Sequence, residues 1–172
     1  HIPIGYFKTM GNPKTDWCYH TQPDPGLNGR SIAWPRGKVL GGSSSINGLL
    51  YVRGQTRDYD HWRQLGNQGW GWDDVLPLFK SAENWEGAEG EDRGTGGPLN
   101  VSKSRVTRHI VDAWVDAAEQ AGYPRNDDYN SGSQEGVGHF QMTTRNGRRC
   151  SSATAYLKPI RNRKNLAIFT HA

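Results

Sequence analysis

Residues 36–54 read Arg36-Gly37-Lys38-Val39-Leu40-Gly41-Gly42-Ser43-Ser44-Ser45-Ile46-Asn47-Gly48-Leu49-Leu50-Tyr51-Val52-Arg53-Gly54. Two adjacent glycines and three serines lie between a cationic lead and an apolar run. Glycine has no Cβ and serine adds only a small donor, so this backbone can approach a large ligand closely. The apolar run Ile46–Val52 reads as a buried helix, so the amides before it lead into a helix N-terminus and favour an anion such as phosphate. An ordinary Gly/Ser loop fits the same composition. On residue chemistry alone, ligand cradle and loop both stand.

The bulk properties narrow the setting. The chain has 172 residues, long enough for one domain with a core. Hydrophobic residues make up only 34%, and 22 residues are glycine. Mean hydropathy is −0.83. Seven Trp, seven Tyr and four Phe exclude simple disorder. Such a chain fits irregular, loop-heavy structure packed around a ligand or another segment. The formal charge is +4, which permits an acidic partner, but the bases are spread out. The densest groups, Arg145, Arg148, Arg149 and Lys158, Arg161, Arg163, Lys164, read as a solvated face rather than a nucleic-acid site. Cys18 and Cys150 could form one bridge but are too few for a disulfide scaffold, and no metal-ligand spacing is present. No metal site and no membrane-spanning segment are expected. The first residue is His rather than Met, which fits a piece of a longer chain.

Local patterns predict the elements. A short strand over 16–21 pairs with a return strand over Ser31–Trp34, across turns at Pro25-Gly26 and Asn28-Gly29. Helices are predicted over 57–65, with Tyr59 and Trp62 on one side, and over 75–83. Asp73 or Asp74 caps the second helix, and Pro77 falls in its first turn. Residues 86–97 form an exposed Gly/Glu-rich loop, followed by a strand at Pro98–Val101. The best amphipathic helix spans 104–121, with a core stripe of Val106, Ile110, Trp114, Ala117 and Ala121, and it stops at Gly122 and Pro124. Strands are expected over His139–Thr144 and Leu166–Thr170. Asn146-Gly147 is a turn, and Ser151 or Ser152 caps a short helix carrying Tyr156 and Leu157.

The ordered set Gly37, Lys38, Leu40, Gly41, Gly42, Ser43, Ser44, Ile46, Asn47, Tyr51 and Gly54 resembles the first signature of the glucose–methanol–choline (GMC) family of flavoprotein oxidoreductases. The flanks extend the resemblance. Asn12-Pro13-Lys14, Trp17-Cys18-Tyr19 and Pro25 to Arg30 resemble the family's lead-in. Asp58-Tyr59-Asp60, Trp62, Gly69-Trp70, Asp74 to Pro77 and Phe79-Lys80 resemble the stretch on the C-terminal side of that signature. Arg149, Ser151, Ala153, Ala155, Tyr156 and Leu157 resemble the next flavin-proximal segment.

The resemblance implies a mixed α/β fold: part of a Rossmann-like FAD-binding domain with loop-rich insertions and part of a substrate domain. It implies an FAD cradle at 36–54, an insertion over about 55–140, and a return to the FAD domain at about 145–172. It implies an FAD-dependent oxidoreductase that moves hydride from the CH–OH of a primary alcohol to flavin N5, in a choline- or alcohol-dehydrogenase-like branch. FAD and a small alcohol are the implied partners, and no nucleic acid is expected. Val39 and the run Asn47, Gly48, Leu49 and Leu50 would touch the cofactor. Gly41, Gly42, Ser43 and Ser44 would bring backbone amides close to it. Some family members tether flavin through a His at the place of Ile46, and Ile cannot form that bond, so non-covalent FAD is expected. The family's G-x-G-x-x-G fingerprint is expected upstream and its catalytic His downstream. No catalytic residue is therefore assigned here. His20, His61, His109 and His139 read as structural or surface residues, and Asp58 and Asp60 as helix-capping ones. The alternative function is a non-catalytic basic and aromatic module for nucleic acid or carbohydrate; it leaves the glycine–serine signature unexplained. The slice by itself is expected to be inactive.

Overall fold

The structure, a computed structural model, describes residues 2–170. The chain divides into two compact units: residues 1–49 with 144–172, and residues 50–143.

The first unit opens with a 3₁₀ turn, Pro3–Lys8. A two-stranded antiparallel hairpin comes next, β1 (Tyr19–His20) with β2 (Ala33–Trp34). Its connection is built on the anticipated turn residues. The Asp24 carboxylate accepts the Gly26 N–H at 2.8 Å, and Asn28 and Gly29 sit at φ 55° and 71°. The base of the hairpin is organised by Asp16, which is 2% exposed. Its carboxylate accepts the N–H groups of Gly11 (2.7 Å), Cys18 (3.0 Å) and Arg36 (2.8 Å). These bonds, Gly11's foremost, hold the Asp16 pKa below its ordinary value, against the opposing effect of burial. A folded-state pKa below the unfolded value of about 3.9 contributes stability above that pH and loses it as pH falls through the lower folded value. Asp16→Asn is expected to lower the neutral-pH melting temperature, because an amide nitrogen cannot accept the Gly11 N–H, and to flatten its acid limb between pH 5 and the onset of acid unfolding, because the amide does not titrate. An unchanged acid limb would show that Asp16 does not organise this loop.

Residues 42–45 form a 3₁₀ turn, not the entrance to a helix. The helix expected over Ile46–Val52 does not form. The Asn47 side chain accepts the Leu49 N–H at 3.1 Å, a local bond that competes with helical pairing. Leu49 takes a left-handed φ of 71°. Beyond it, Tyr51 N–H donates to Gln141 O at 2.9 Å, so the chain joins a ladder instead of coiling. The rest of the unit is the hairpin β6 (Thr144–Arg145) and β7 (Arg148–Arg149), turned by Asn146 and Gly147 at positive φ. A five-residue π-turn (Ala153–Leu157) and the short α4 (Lys158–Ile160) complete it. The Ser151 hydroxyl accepts the Thr154 N–H at 3.3 Å as its cap. No strand forms over 166–170, where the described residues offer no pairing partner for the ladder a strand needs.

The second unit carries α1 (Thr56–Gln64), α2 (Trp72–Ala82) and α3 (His109–Gln120), with a three-stranded sheet of order β3-β4-β5. Here β3 (Glu83–Trp85) runs parallel to β4 (Leu99–Lys103), and β5 (Gln141–Met142) is antiparallel to it. The Asp58 and Asp74 carboxylates take the backbone N–H of Gln55 (2.7 Å) and Gly71 (3.0 Å), closing the first turns of α1 and α2. Because α2 starts at Trp72, Pro77 lies inside it rather than in its first turn. Tyr59 and Trp62 share a face as expected, their rings 5.4 Å apart edge-on, and Tyr59 also meets Phe79 of α2 at 5.7 Å.

Two expectations for this unit are corrected. The helix predicted over 104–121 begins only at His109, and the stripe expected in the core faces solvent: Ile110 is 75% and Trp114 65% exposed. The buried residue is Val115, one position and about 100° round the helix from Trp114. A stripe identifies the apolar face, whereas packing partners decide which face is covered. The 86–97 loop is not wholly exposed either, since Arg93 and Gly94 are buried.

Arg93 belongs to a polar core. Glu83, 0% exposed, accepts Arg53 Nη2 at 2.7 Å, Arg93 Nη2 at 2.6 Å and the Gly94 N–H at 2.9 Å. Arg93 Nη1 donates to Asp128 at 2.6 Å and to Gln141 Oε1 at 2.8 Å. Asn130 joins them, accepting the Arg53 N–H at 2.8 Å and donating to Tyr51 O at 3.0 Å. Two guanidiniums and two carboxylates balance, and the amides satisfy what remains, which is the condition for burying such charges.

Candidate functional site

The first unit contains a cavity of about 890 Å³, within the range of small-molecule and cofactor sites. Its wall includes Gly37, Lys38, Val39, Leu40 and Ser45 from the opening stretch, with Thr15, Trp17 and Arg149. Lys38 Nζ lies 4.8 Å from the Trp17 ring centre, so a cation and an aromatic face are held together at the rim.

The predicted residues divide by place. Val39 lines the cavity and is 38% exposed. Gly41 has φ +87°, and a Cβ there would lie 2.6 Å from Ser45 Oγ and 3.1 Å from the Ala153 amide nitrogen. Gly37 is tighter still: a Cβ would fall 2.1 Å from Gly42 O. The bare backbone at these two positions is thus consumed by the protein's own loop. At Gly42 and Gly48 a Cβ would meet open space, which leaves room for a ligand. The Ser43 hydroxyl accepts the Gly37 N–H at 3.2 Å, and Ser44 Oγ accepts the Ser152 N–H at 2.9 Å and donates to Gly41 O. Asn47 is exposed, but its side-chain oxygen is engaged by Arg149 at 2.7 Å. Leu49, 1% exposed, is interior, and Leu50, 52% exposed, begins the second unit. The phosphate site at a helix N-terminus expected here is not formed, because there is no helix after Ser45, only the 3₁₀ turn.

Several residues of this wall were not singled out as binding residues. Lys38, Leu40, Ser45 and Arg149 all belong to matched segments, yet only the return of 144–172 to the first unit places Arg149 beside residues 37–45. Arg149 also departs from the solvated face assigned to its cluster, being 6% exposed while Arg145 and Arg148 stay exposed. Burial lowers its pKa from the usual guanidinium value. Neither Cys18 nor Cys150 is in a disulfide. No helix of the described residues is long and apolar enough to cross a membrane, and no metal-holding cluster of His, Cys, Asp or Glu occurs among them.

Residues 7–172 match the family model for GMC oxidoreductases. The chain therefore belongs to the GMC oxidoreductase family, whose members are FAD flavoproteins. It is 50% identical over 167 residues to an oxygen-dependent choline dehydrogenase of Brucella anthropi, covering 97% of this chain and 30% of that protein. Among solved structures, pyridoxine 4-oxidase from Mesorbium loti superposes with a TM-score of 0.91 at 35% identity, over 98% of this chain and 34% of that one. An FAD-dependent oxidoreductase from Chaetomium thermophilum gives 0.84 at 29% identity, over 92% of this chain and 30% of that one. The chain thus spans about 30% of the length of the curated relatives it matches. Nothing in these likenesses favours the nucleic-acid or carbohydrate module.

Proposed function

We propose that this chain supplies one wall of the FAD site in an oxidoreductase acting on the CH–OH group of a small primary alcohol, in the choline dehydrogenase-like branch. The observation that carries the reading is the cavity lined by Val39 together with Gly37, Lys38, Leu40 and Ser45 of the family's signature stretch. When bound, FAD supplies the hydride-accepting ring. The residues of this chain bind and orient it: Val39 offers an apolar surface, Gly41 to Ser44 fix the turn, and the exposed Asn47 and Gly48 are available to contact it. Residues 36–54 are read as the FAD cradle, about 55–140 as the insertion with part of the substrate domain, and about 145–172 as the return to the FAD domain.

No catalytic base is assigned to this chain. His139 Nε2 is 3.2 Å from Asp112 and His20 Nδ1 is 3.1 Å from Cys18 O, which suits structural roles. Alcohol oxidation by residues 1–172 alone would overturn that assignment.

The test is the visible spectrum of the full-length protein. Flavin absorbance, released on denaturation, is expected; colourless protein that FAD cannot reconstitute would sink the reading. Ile46 is 2% exposed and carries no nucleophile, which supports a non-covalent cofactor. Acid precipitation is expected to leave the flavin in the supernatant, and flavin pelleting with the protein would refute the absence of a tether.

A further inference from the structure

Arg149 is a buried cation with an unusual set of partners. Its Nη1 donates to Ser44 O at 3.0 Å and to Asn47 Oδ1 at 2.7 Å, and its Nη2 donates to Asn47 O at 2.7 Å. All three acceptors are neutral and lie within four residues of one another. Among the described residues no carboxylate reaches ion-pairing distance of it. The usual reason to bury an arginine, an acidic partner, is missing. What the guanidinium does instead is hold a turn from both its carbonyl side and its side-chain side, which a planar fork can do and an ammonium cannot.

The turn it holds needs holding. Asn47 Oδ1 accepts Arg149 and also the Leu49 N–H at 3.1 Å. Leu49 sits at φ 71°, a left-handed conformation that disfavours a residue with a Cβ. A second anchor comes from the same segment, where the Ser152 N–H donates to Ser44 Oγ at 2.9 Å. Ser44 and Asn47 are therefore tied to residues more than a hundred positions later in the chain, in addition to the local bonds of the turn.

We propose that Arg149 is a positioning residue for the cofactor cradle: its fork sets Ser44 to Asn47, and through Asn47 the left-handed backbone at Leu49, before FAD arrives. This rests on the FAD reading above. Preorganisation lowers the ordering cost that binding would otherwise meet, so losing the fork weakens FAD while Lys, which keeps the charge, does not restore it.

The experiment uses the full-length protein stripped of flavin, with Arg149→Lys and Arg149→Ala. In the apo-proteins, hydrogen exchange over residues 44–50 is expected to accelerate in both variants. FAD titration, followed by flavin fluorescence, is expected to show affinity weakened about tenfold or more, the order of one charge-assisted hydrogen bond. The visible circular dichroism of bound flavin is expected to change, and guanidinium ion is expected to restore affinity in Arg149→Ala. Unchanged exchange at 44–50, or wild-type FAD affinity in Arg149→Lys, overturns the proposal. If Arg149→Ala does not fold, Arg149→Lys carries the same test. If the wild-type apo-protein fails to take up FAD, the FAD reading itself fails; wild-type uptake with an indifferent Arg149→Lys variant sinks only the positioning role.

Discussion

Replacing Glu83 by Gln is expected to destabilise the second unit by about 3–5 kcal/mol, the range for breaking a buried ion pair from one side. The amide keeps the shape and removes the charge. Arg53 and Arg93 each have a side chain 1% exposed; Arg93 then keeps only the Asp128 carboxylate, itself one-third exposed, and Arg53 loses the carboxylate it pairs with. A Gln also turns a donor toward guanidiniums that can only donate, so part of the network is left unsatisfied as well as unbalanced. The cost is a large share of the 5–15 kcal/mol that holds a typical domain together. The readout is hydrogen exchange over 83–103 and 128–142 in the full-length protein, with the thermal midpoint. Arg63→Ala is the control. Its partner Asp60 is 3.2 Å away, but both side chains are substantially exposed, so a change within about 1 kcal/mol is expected. Equal effects of the two substitutions would mean the buried cluster is no more than a surface-like ion pair.

Gly37→Ala is expected to abolish FAD retention while leaving the second unit intact. The added methyl would sit 2.1 Å from Gly42 O and 2.3 Å from Gly42 C, so backbone and not a mobile side chain must yield. Such overpacking costs typically about 1–3 kcal/mol, and here it is discharged by opening the 37–43 loop that walls the cavity. The Ser43 hydroxyl would lose the Gly37 N–H in the process. Gly5→Ala, where a Cβ meets nothing within 4 Å, is the matched control. The measurement is flavin content per protein after gel filtration, with hydrogen exchange over 83–103 as the check on the second unit. Wild-type flavin content in Gly37→Ala would show that the 37–43 loop does not set the cofactor wall.

These two sites differ in how far the sequence exposes them. The turns are legible because each is a local backbone requirement. Asn28-Gly29 and Asn146-Gly147 take positive φ, and Asp24, Asp58 and Asp74 cap their own neighbours. The hairpin β1/β2 comes from its turn, and the pairing of Tyr59 with Trp62 from a spacing of three. The 46–52 segment misleads because an apolar run suits a helix or a strand equally, and the Asn47 and Arg149 bonds that settle it are respectively a side-chain bond and a contact 102 residues away. The α3 stripe misleads because periodicity reports which face is apolar but carries no information about what covers it.

The polar core is invisible in the sequence for another reason. Arg53, Glu83, Arg93 and Asp128 are separated by 10 to 35 residues or more, and a lone charged residue is normally read as surface. Only folding brings their opposite charges to 2.6–2.7 Å and makes burial tolerable. The sequence by itself determined the family, through an ordered set of small residues, and the turns, through backbone geometry that few residue types allow. Tertiary structure alone decided which glycines are filled by the protein and which remain open, which arginines are buried, and that Arg149 closes on residues 44–47. Those outcomes depend on contacts between distant segments, whose energies exist only once loop-closure entropy has been overcome and the partners are in place.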